Sequence, residues 1–359
     1  MSLNRLRKRV LNREFPYLLL FVPLYLLSKL YCLLSRLRNA LYDLGVLTSR
    51  SFPLPVISVG NIVAGGSGKT PLVESIYLCL EEAGLSPAIV TRGYGGKERG
   101  PAIAGPKPEV FGDEASVYAL KGYRTVVSVD RAKGVEFAFS NGANVAILDD
   151  GFQHRKVKPS LNIVAIDPFN PFGDGYCLPL GLLREPLSGL ERADAFVVTR
   201  ANLVDERRLD SLELYLKSFK KPVFRAEQVF KFWVNENFER TTPPEGEFVD
   251  VVCGIGNPDQ FLKMLVDRGY RLRNVLIFED HHVYTEEEIE EISRLGNPVT
   301  TEKDLIKLRG RVKVKAPVLR LEAYGLKEFI LANIKNLEKQ EEEEVEGAFA
   351  SAGVPDFKG

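Results

Sequence analysis

Residues 56–71 read VISVGNIVAGGSGKTP. Val56-Ile57-Ser58-Val59 has the β-branched, apolar composition of a buried strand, and from Lys69 to Ala83 the apolar spacing becomes helical. Between them lies a glycine-rich turn. In a strand–turn–helix setting such a turn points backbone N–H groups inward, and the helix N-terminus adds positive potential; together they bind phosphate oxygens. On this reading Gly65, Gly66, Ser67 and Gly68 wrap the phosphates of a nucleotide, the Lys69 ammonium reaches the β- and γ-phosphates, and the Thr70 hydroxyl ligates Mg2+. The strict spacing of such loops has a glycine five residues before Gly68, where this chain has Val63. The alternative is a tight βα connection with no ligand.

Outward from this turn, short β-branched runs alternate with helical ones. Strands are predicted at 88–91, 125–129, 145–148, 163–166 and 195–198, with helices starting near Asp113 and over 132–141. That alternation predicts an α/β fold of the P-loop NTPase type, a doubly wound, mainly parallel sheet. Residues 93–112 are rich in Gly and Pro and read as a long loop. Residues 222–248 hold short mixed pieces and read as a linker or hinge. Strands near 249–253, 274–278, 297–300 and 317–321, then a helix over 326–337, predict a second, smaller α/β unit. The expected organisation is an anchoring segment (1–50), a phosphate-loop domain (51–221), the linker (222–248), a C-terminal lid (249–337) and an acidic, disordered tail (338–359).

Val145-Ala146-Ile147-Leu148-Asp149-Asp150 is an apolar strand ending in two acids. About 80 residues after a phosphate loop, a strand-end Asp is placed to hold Mg2+ directly or through water. Successive strand residues face opposite sides, so one of Asp149 and Asp150 faces the metal readily and the other serves the loop or a substrate group. Gln153 and His154 continue that turn, where His154 reads either as a substrate contact or as a loop-stabilising donor. Asp113, in Gly112-Asp113-Glu114, reads as a helix N-cap or as the carboxylate that accepts a proton from an attacking hydroxyl. Asp280-His281-His282 follows a strand, where a carboxylate–imidazole pair suits proton relay and ordinary loop polarity is the plainer reading. Arg131, Arg184 and Glu185 sit in loops beside strands; the arginines suit a phosphate on the acceptor, or surface ion pairs. In Thr300-Thr301-Glu302-Lys303-Asp304 the Lys and Asp are adjacent, which fails the spacing of a guanine-reading motif.

Residues 15–34 read FPYLLLFVPLYLLSKLYCLL, long enough as a helix to cross a bilayer core. Pro23 interrupts the run and Lys29 lies in its last turns, so the better reading is a kinked amphipathic anchor lying in the membrane interface. Residues 1–50 carry nine basic and two acidic side chains, a charge that favours anionic headgroups. A buried helix and a single span are the alternatives; a signal peptide is set aside because no small-residue cleavage site follows. The whole chain balances 48 Lys and Arg against 48 Asp and Glu, so its charge gives no argument for nucleic acid. Its four cysteines form no CxxC or Cys/His cluster, which predicts a reduced protein without disulfides.

Taken together, SVGNIVAGGSGKTP (58–71), TRGYGG (91–96), GDE (112–114), ILDDGFQH (147–154), LREP (183–186), GIGNPDQF (254–261), DHHVY (280–284) and TTEKDLIKL (300–308) resemble the tetraacyldisaccharide 4′-kinase family over residues 15–325. The atypical loop with Val63 is a feature of that family. The resemblance implies transfer of ATP's γ-phosphate to the 4′-hydroxyl of a tetraacylated glucosamine disaccharide 1-phosphate, with Mg2+, at the cytoplasmic face of the Gram-negative inner membrane. It implies peripheral attachment and no nucleic-acid or obligate protein partner. By position, Lys69 and Thr70 take phosphate and Mg2+ roles, and Asp149 and Asp150 the metal and active-site acid positions. Asp113 takes the role of catalytic base and His281 supports it, while Arg131, Gln153, His154, Arg184 and Glu185 line the acceptor site. The rival is a membrane-associated switch ATPase that binds a protein partner; its loop begins with a signature lysine where this chain has Ala64.

Overall fold

A computed structural model of the chain describes residues 3–15 and 17–337; the acidic tail at 338–359 lies outside the described residues. Two helices, α1 (Leu3–Leu11) and α2 (Leu18–Asp43), precede the sheet, and Pro23 lies inside α2. α2 is not a core helix. Ser28 is its one buried residue, whereas Leu19, Val22, Leu26 and Leu33 are each more than 60% exposed.

The large sheet begins with β1 (Val56–Gly60), α3 (Lys69–Glu82), β2 (Pro87–Thr91) and β3 (Ala102–Ile103). It continues through α4 (Pro108–Phe111), α5 (Asp113–Leu120), β4 (Thr125–Val127), α6 (Arg131–Ser140), β5 (Val145–Asp149), β6 (Leu161–Ile166), β7 (Ala195–Val198) and α7 (Glu206–Lys217). Strands β1, β2, β5, β6 and β7 are buried throughout and pair in parallel, as continuous apolar runs covered on both faces require. β5 and β6 are consecutive in the chain but flank β1 on opposite sides. Such a switch opens a crevice at the carboxyl ends of the strands. The phosphate loop follows β1 there, and Asp149 closes β5 beside it, with Val59 opposite Asp149 in register.

Residues 222–248, expected as a linker, hold β8 (Val223–Val234) and β9 (Arg240–Thr241). The first residues of β8 pair in parallel with β7, and the rest, from Ala226 to Val234, pair antiparallel with β13 (Ala316–Ala323), giving a ten-stranded sheet. Alternation of Phe, Trp and Val with charged residues in 223–234 is the pattern of a strand with two unlike faces. The β8–β13 ribbon runs into a second unit of β10 (Phe248–Cys253), α8 (Pro258–Asp267), β11 (Arg271–Ile277), α9 (Glu286–Ser293), β12 (Pro298–Val299) and α10 (Glu302–Leu308). Its three parallel strands run in the order β11-β10-β12, with Trp233 and Val234 of β8 in its cores. The helix over 326–337 returns to the large sheet, where Leu326, Ile330 and Ile334 pack with Leu72, Ile76 and Leu80 of α3.

Candidate active site

β1 ends at Gly60 because nothing larger fits: a Cβ there would stand 2.5 Å from Phe152 Cβ. That contact seats the DDGFQH turn against the base of the phosphate loop. Gly65 and Gly68 take positive φ, and Lys69 opens α3, so the loop and the helix N-terminus form one cradle. Tertiary contacts hold it from behind. Thr199 Oγ1 donates to the Ser67 carbonyl at 2.9 Å, and Arg200 Nη2 to the Gly66 carbonyl at 2.7 Å. Lys69 Nζ donates to Asn61 Oδ1 at 3.1 Å and lies 3.4 Å from Asp150 Oδ1.

The adjacent acids occupy unlike environments. Asp149 is buried and accepts from the Tyr118 hydroxyl at 3.2 Å. Burial, and then the charge of Asp150, push the Asp149 carboxyl up to about 6. Asp150 leaves the strand in the left-handed region at φ 56° and is half-exposed. Both its oxygens accept from Arg184 Nη1 at 2.8 Å; burial raises its pKa, but Lys69 and Arg184 outweigh that and hold it below the usual carboxylate range. A buried carboxyl with no ion pair among the described residues, at the strand end beside the phosphate loop, suits Mg2+. No cluster of three or more His, Cys, Asp or Glu ligands occurs among the described residues.

Asp113 is the first residue of α5, not its cap. Gly112 holds the cap position and Asp113 makes no capping bond. A Cβ on Gly112 would meet the Tyr94 carbonyl at 2.3 Å, so the TRGYGG loop packs directly on the GDE turn. The Asp113 side chain reaches the second unit. His281 Nδ1 lies 3.0 Å from Asp113 Oδ2, and Lys307 Nζ lies 3.0 Å from the same oxygen. No hydrogen bond reaches Oδ1 from the described residues. Burial raises the Asp113 pKa, but the His281 hydrogen bond and the Lys307 charge outweigh it and leave it below the ordinary value. Lys303 Nζ lies 3.1 Å from His281 Nε2. An ammonium only donates, so in the neutral ring Nε2 accepts and the proton sits on Nδ1, directed at Asp113. The Asp113 bond raises the His281 pKa, with burial and Lys303 opposing.

α5 and α10 are clamped at both ends. Opposite the Asp113–Lys307 pair, the buried Lys121 beyond α5 bridges Glu74 of α3 (2.7 Å) and Glu302 of α10 (2.6 Å). The remaining expected residues gather on the α2 side. Gln153 Nε2 donates to the Asn61 carbonyl and to Glu185 Oε1, both at 2.9 Å. The buried Glu185 accepts from Arg192 and from Asn39 of α2. Tyr31 of α2 donates to the Arg184 carbonyl at 2.9 Å, Arg38 to the Gln153 carbonyl at 3.1 Å, and Ser28 to the Cys177 carbonyl at 2.7 Å. Arg131 is buried near Asp149 and Asp150 with its Nε unpartnered. His154 lines a cavity of about 250 Å³ with Asp43, Ser58 and Asn162; burial, with help from Arg131, lowers its pKa to about 4, keeping it neutral.

A family model described as LpxK, Tetraacyldisaccharide-1-P 4'-kinase, matches residues 20–335. The chain belongs to this family. It is 36% identical to a tetraacyldisaccharide 4'-kinase of Chlorobaculum tepidum over 78% of this chain and 85% of that one. It is 37% identical to a protein of the same name in Desulfotalea psychrophila over 79% and 86%. A crystal structure of LpxK from Aquifex aeolicus in complex with ATP superposes with a TM-score of 0.73 at 33% identity, covering 88% of this chain and 99% of that chain. The chain is therefore a kinase with the α/β fold expected of its phosphate loop. Sequence reasoning left Asn61, Tyr118, Thr199, Arg200, Lys303 and Lys307 without a role. Only the lysines carried a signal: they are four residues apart in TTEKDLIKL and so share one helix face.

Proposed function

We propose that this kinase transfers the γ-phosphate of ATP to the 4′-hydroxyl of a tetraacyldisaccharide 1-phosphate, with Asp113 as base. The observation that carries the assignment is the occupancy of Asp113: His281 and Lys307 both take Oδ2, and Oδ1 accepts no hydrogen bond from the described residues. The acceptor oxygen attacks the γ-phosphorus, the bond to the β,γ-bridging oxygen breaks, ADP leaves, and the hydroxyl proton passes to Asp113 Oδ1. His281, with its proton on Nδ1, orients the carboxylate, and Lys303 sets that tautomer. Lys69 neutralises the transferring phosphate, and Gly65, Gly66, Ser67 and Gly68 supply backbone donors. Mg2+, held by Thr70 and Asp149, would neutralise charge on the phosphates.

Arg131, Gln153, His154, Arg184 and Glu185 form the acceptor side. The polar contacts of α2 with residues 153, 177, 184 and 185 favour a helix lying on the membrane over one crossing it. Its exposed leucines enter the acyl layer, and Lys8, Arg13 and Arg36 meet headgroups on the cytoplasmic side. The second unit acts as a lid that excludes water, and its motion bends the β8–β13 ribbon at residues 222–248.

The test is to incubate the purified chain with labelled ATP, Mg2+ and tetraacyldisaccharide 1-phosphate in detergent micelles. Label in the lipid, dependent on the acceptor, is expected. Hydrolysis of ATP at the same rate without acceptor would overturn the assignment in favour of a switch ATPase.

A further inference from the structure

Arg200, two residues beyond β7, lies in the left-handed region at φ 54° and is 8% exposed. A non-glycine residue held there costs backbone energy that surrounding contacts must offset. Its guanidinium makes three bonds to three parts of the molecule. Nη2 donates to the Gly66 carbonyl in the phosphate loop (2.7 Å) and to Asp167 Oδ2 after β6 (2.8 Å). Nη1 donates to Gln260 Oε1 on α8 of the second unit (2.5 Å). Gln260 lies in GIGNPDQF, a motif to which the reaction gives no role.

Because a guanidinium only donates, the amide orientation of Gln260 is determined: Oε1 faces Arg200 and Nε2 faces away as a donor. Among the described residues, Gln260 Nε2 and Arg200 Nε are buried without a hydrogen-bond partner, as is Ser67 Oγ in the phosphate loop. Unfilled buried donors are costly. One guanidinium thus touches both the phosphate loop and the second unit.

We infer that Arg200 and Gln260 are positioning residues that couple nucleotide occupancy of the phosphate loop to the seating of the second unit. Arg200 fixes the Gly66 carbonyl and thereby the cradle. Gln260 passes that order to α8, in the unit that carries His281 to Asp113. The link to turnover rests on the proposed Asp113–His281 pair; the link to nucleotide does not.

Two measurements separate them. Hydrogen–deuterium exchange of the amides at 259–267 is followed with and without ADP and Mg2+. Nucleotide is expected to slow exchange in the wild type and to leave it unchanged in Gln260→Met, which keeps the volume and removes both polar atoms. Equal slowing in the two proteins would overturn the coupling. In kinetics, Q260M should lower kcat by roughly tenfold, the loss of one charge-assisted hydrogen bond, and Q260E, which still accepts from Arg200, should recover most of it. In a His281→Ala background, Q260M should cost less than about twofold, because both act on one assembly. Full, additive losses would overturn the route through His281. Normal kcat in H281A alone would sink the supporting role of His281 instead, while the exchange result would still judge the Arg200–Gln260 link.

Discussion

The phosphate-loop crevice and the Asp113 junction are built in opposite ways. In the crevice, Asn61, Lys69 and Thr70 follow one strand and Asp149, Asp150 and Gln153 follow its neighbour, so two short stretches of chain supply most of the chemistry. At the junction, Asp113, His281, Lys303 and Lys307 come from three segments, and the Asp113–His281 bond joins residues 168 positions apart. The crevice is held by β1–β5 register and by glycines that admit close backbone approach. The junction exists only while α5 and α10 stay clamped. The first should therefore survive changes at Asp113 and His281, and the second should fail when either helix moves.

The strongest way to break this comparison is at the crevice. Lys69→Ala removes the ammonium from both Asp150 and the phosphates, and turnover should fall by roughly a thousandfold or more. A loss under tenfold would show that Lys69 does not carry phosphate charge. Next, Asp113→Asn should lower kcat by about a hundredfold or more while ADP affinity, read by titration calorimetry, stays within about twofold. Weakened ADP binding would mean that the junction and the crevice are one structure.

A smaller effect is expected from pH. His281 is faced by Asp113, by Lys303, by Asp280 at 3.9 Å and by Glu114 on α5. Its pKa is raised above 6.5, so the neutral ring, which leaves Asp113 the stronger base, forms only above that raised value. kcat/KM should climb as pH rises through a midpoint above 6.5, and His281→Ala should flatten that limb. A persistent limb in the variant would assign it to another group. The smallest effect on chemistry belongs to α2. Leu26→Ser with Leu33→Ser should release protein from anionic vesicles in sedimentation yet keep turnover on micellar acceptor within about threefold. Retained vesicle binding would place docking on another surface.

The crevice was largely readable from the chain because its parts are local. A strand, a glycine turn and a helix leave a pattern, and so does an apolar run ending in two acids. Unlike neighbours then split Asp149 from Asp150: Tyr118 and burial on one, Arg184 and Lys69 on the other. Composition made 222–248 look like a connector, since a strand with two unlike faces mixes Phe, Trp, Lys and Glu much as a loop does. Pairing with β7 and β13 is what makes it β8, and pairing is not written in one segment.

The sequence by itself determined the α/β alternation, the phosphate cradle, the acid pair and the apolar face of α2, because each depends on periodicity or spacing within about twenty residues. Only the tertiary structure decided that Asp113 is turned away from capping its helix, that His281 and Lys307 share one of its oxygens, and that Arg200 joins the phosphate loop to α8. Those arrangements depend on which surfaces of two units bury each other. Side chains that are ordinary polar residues in their own segments acquire partners only there.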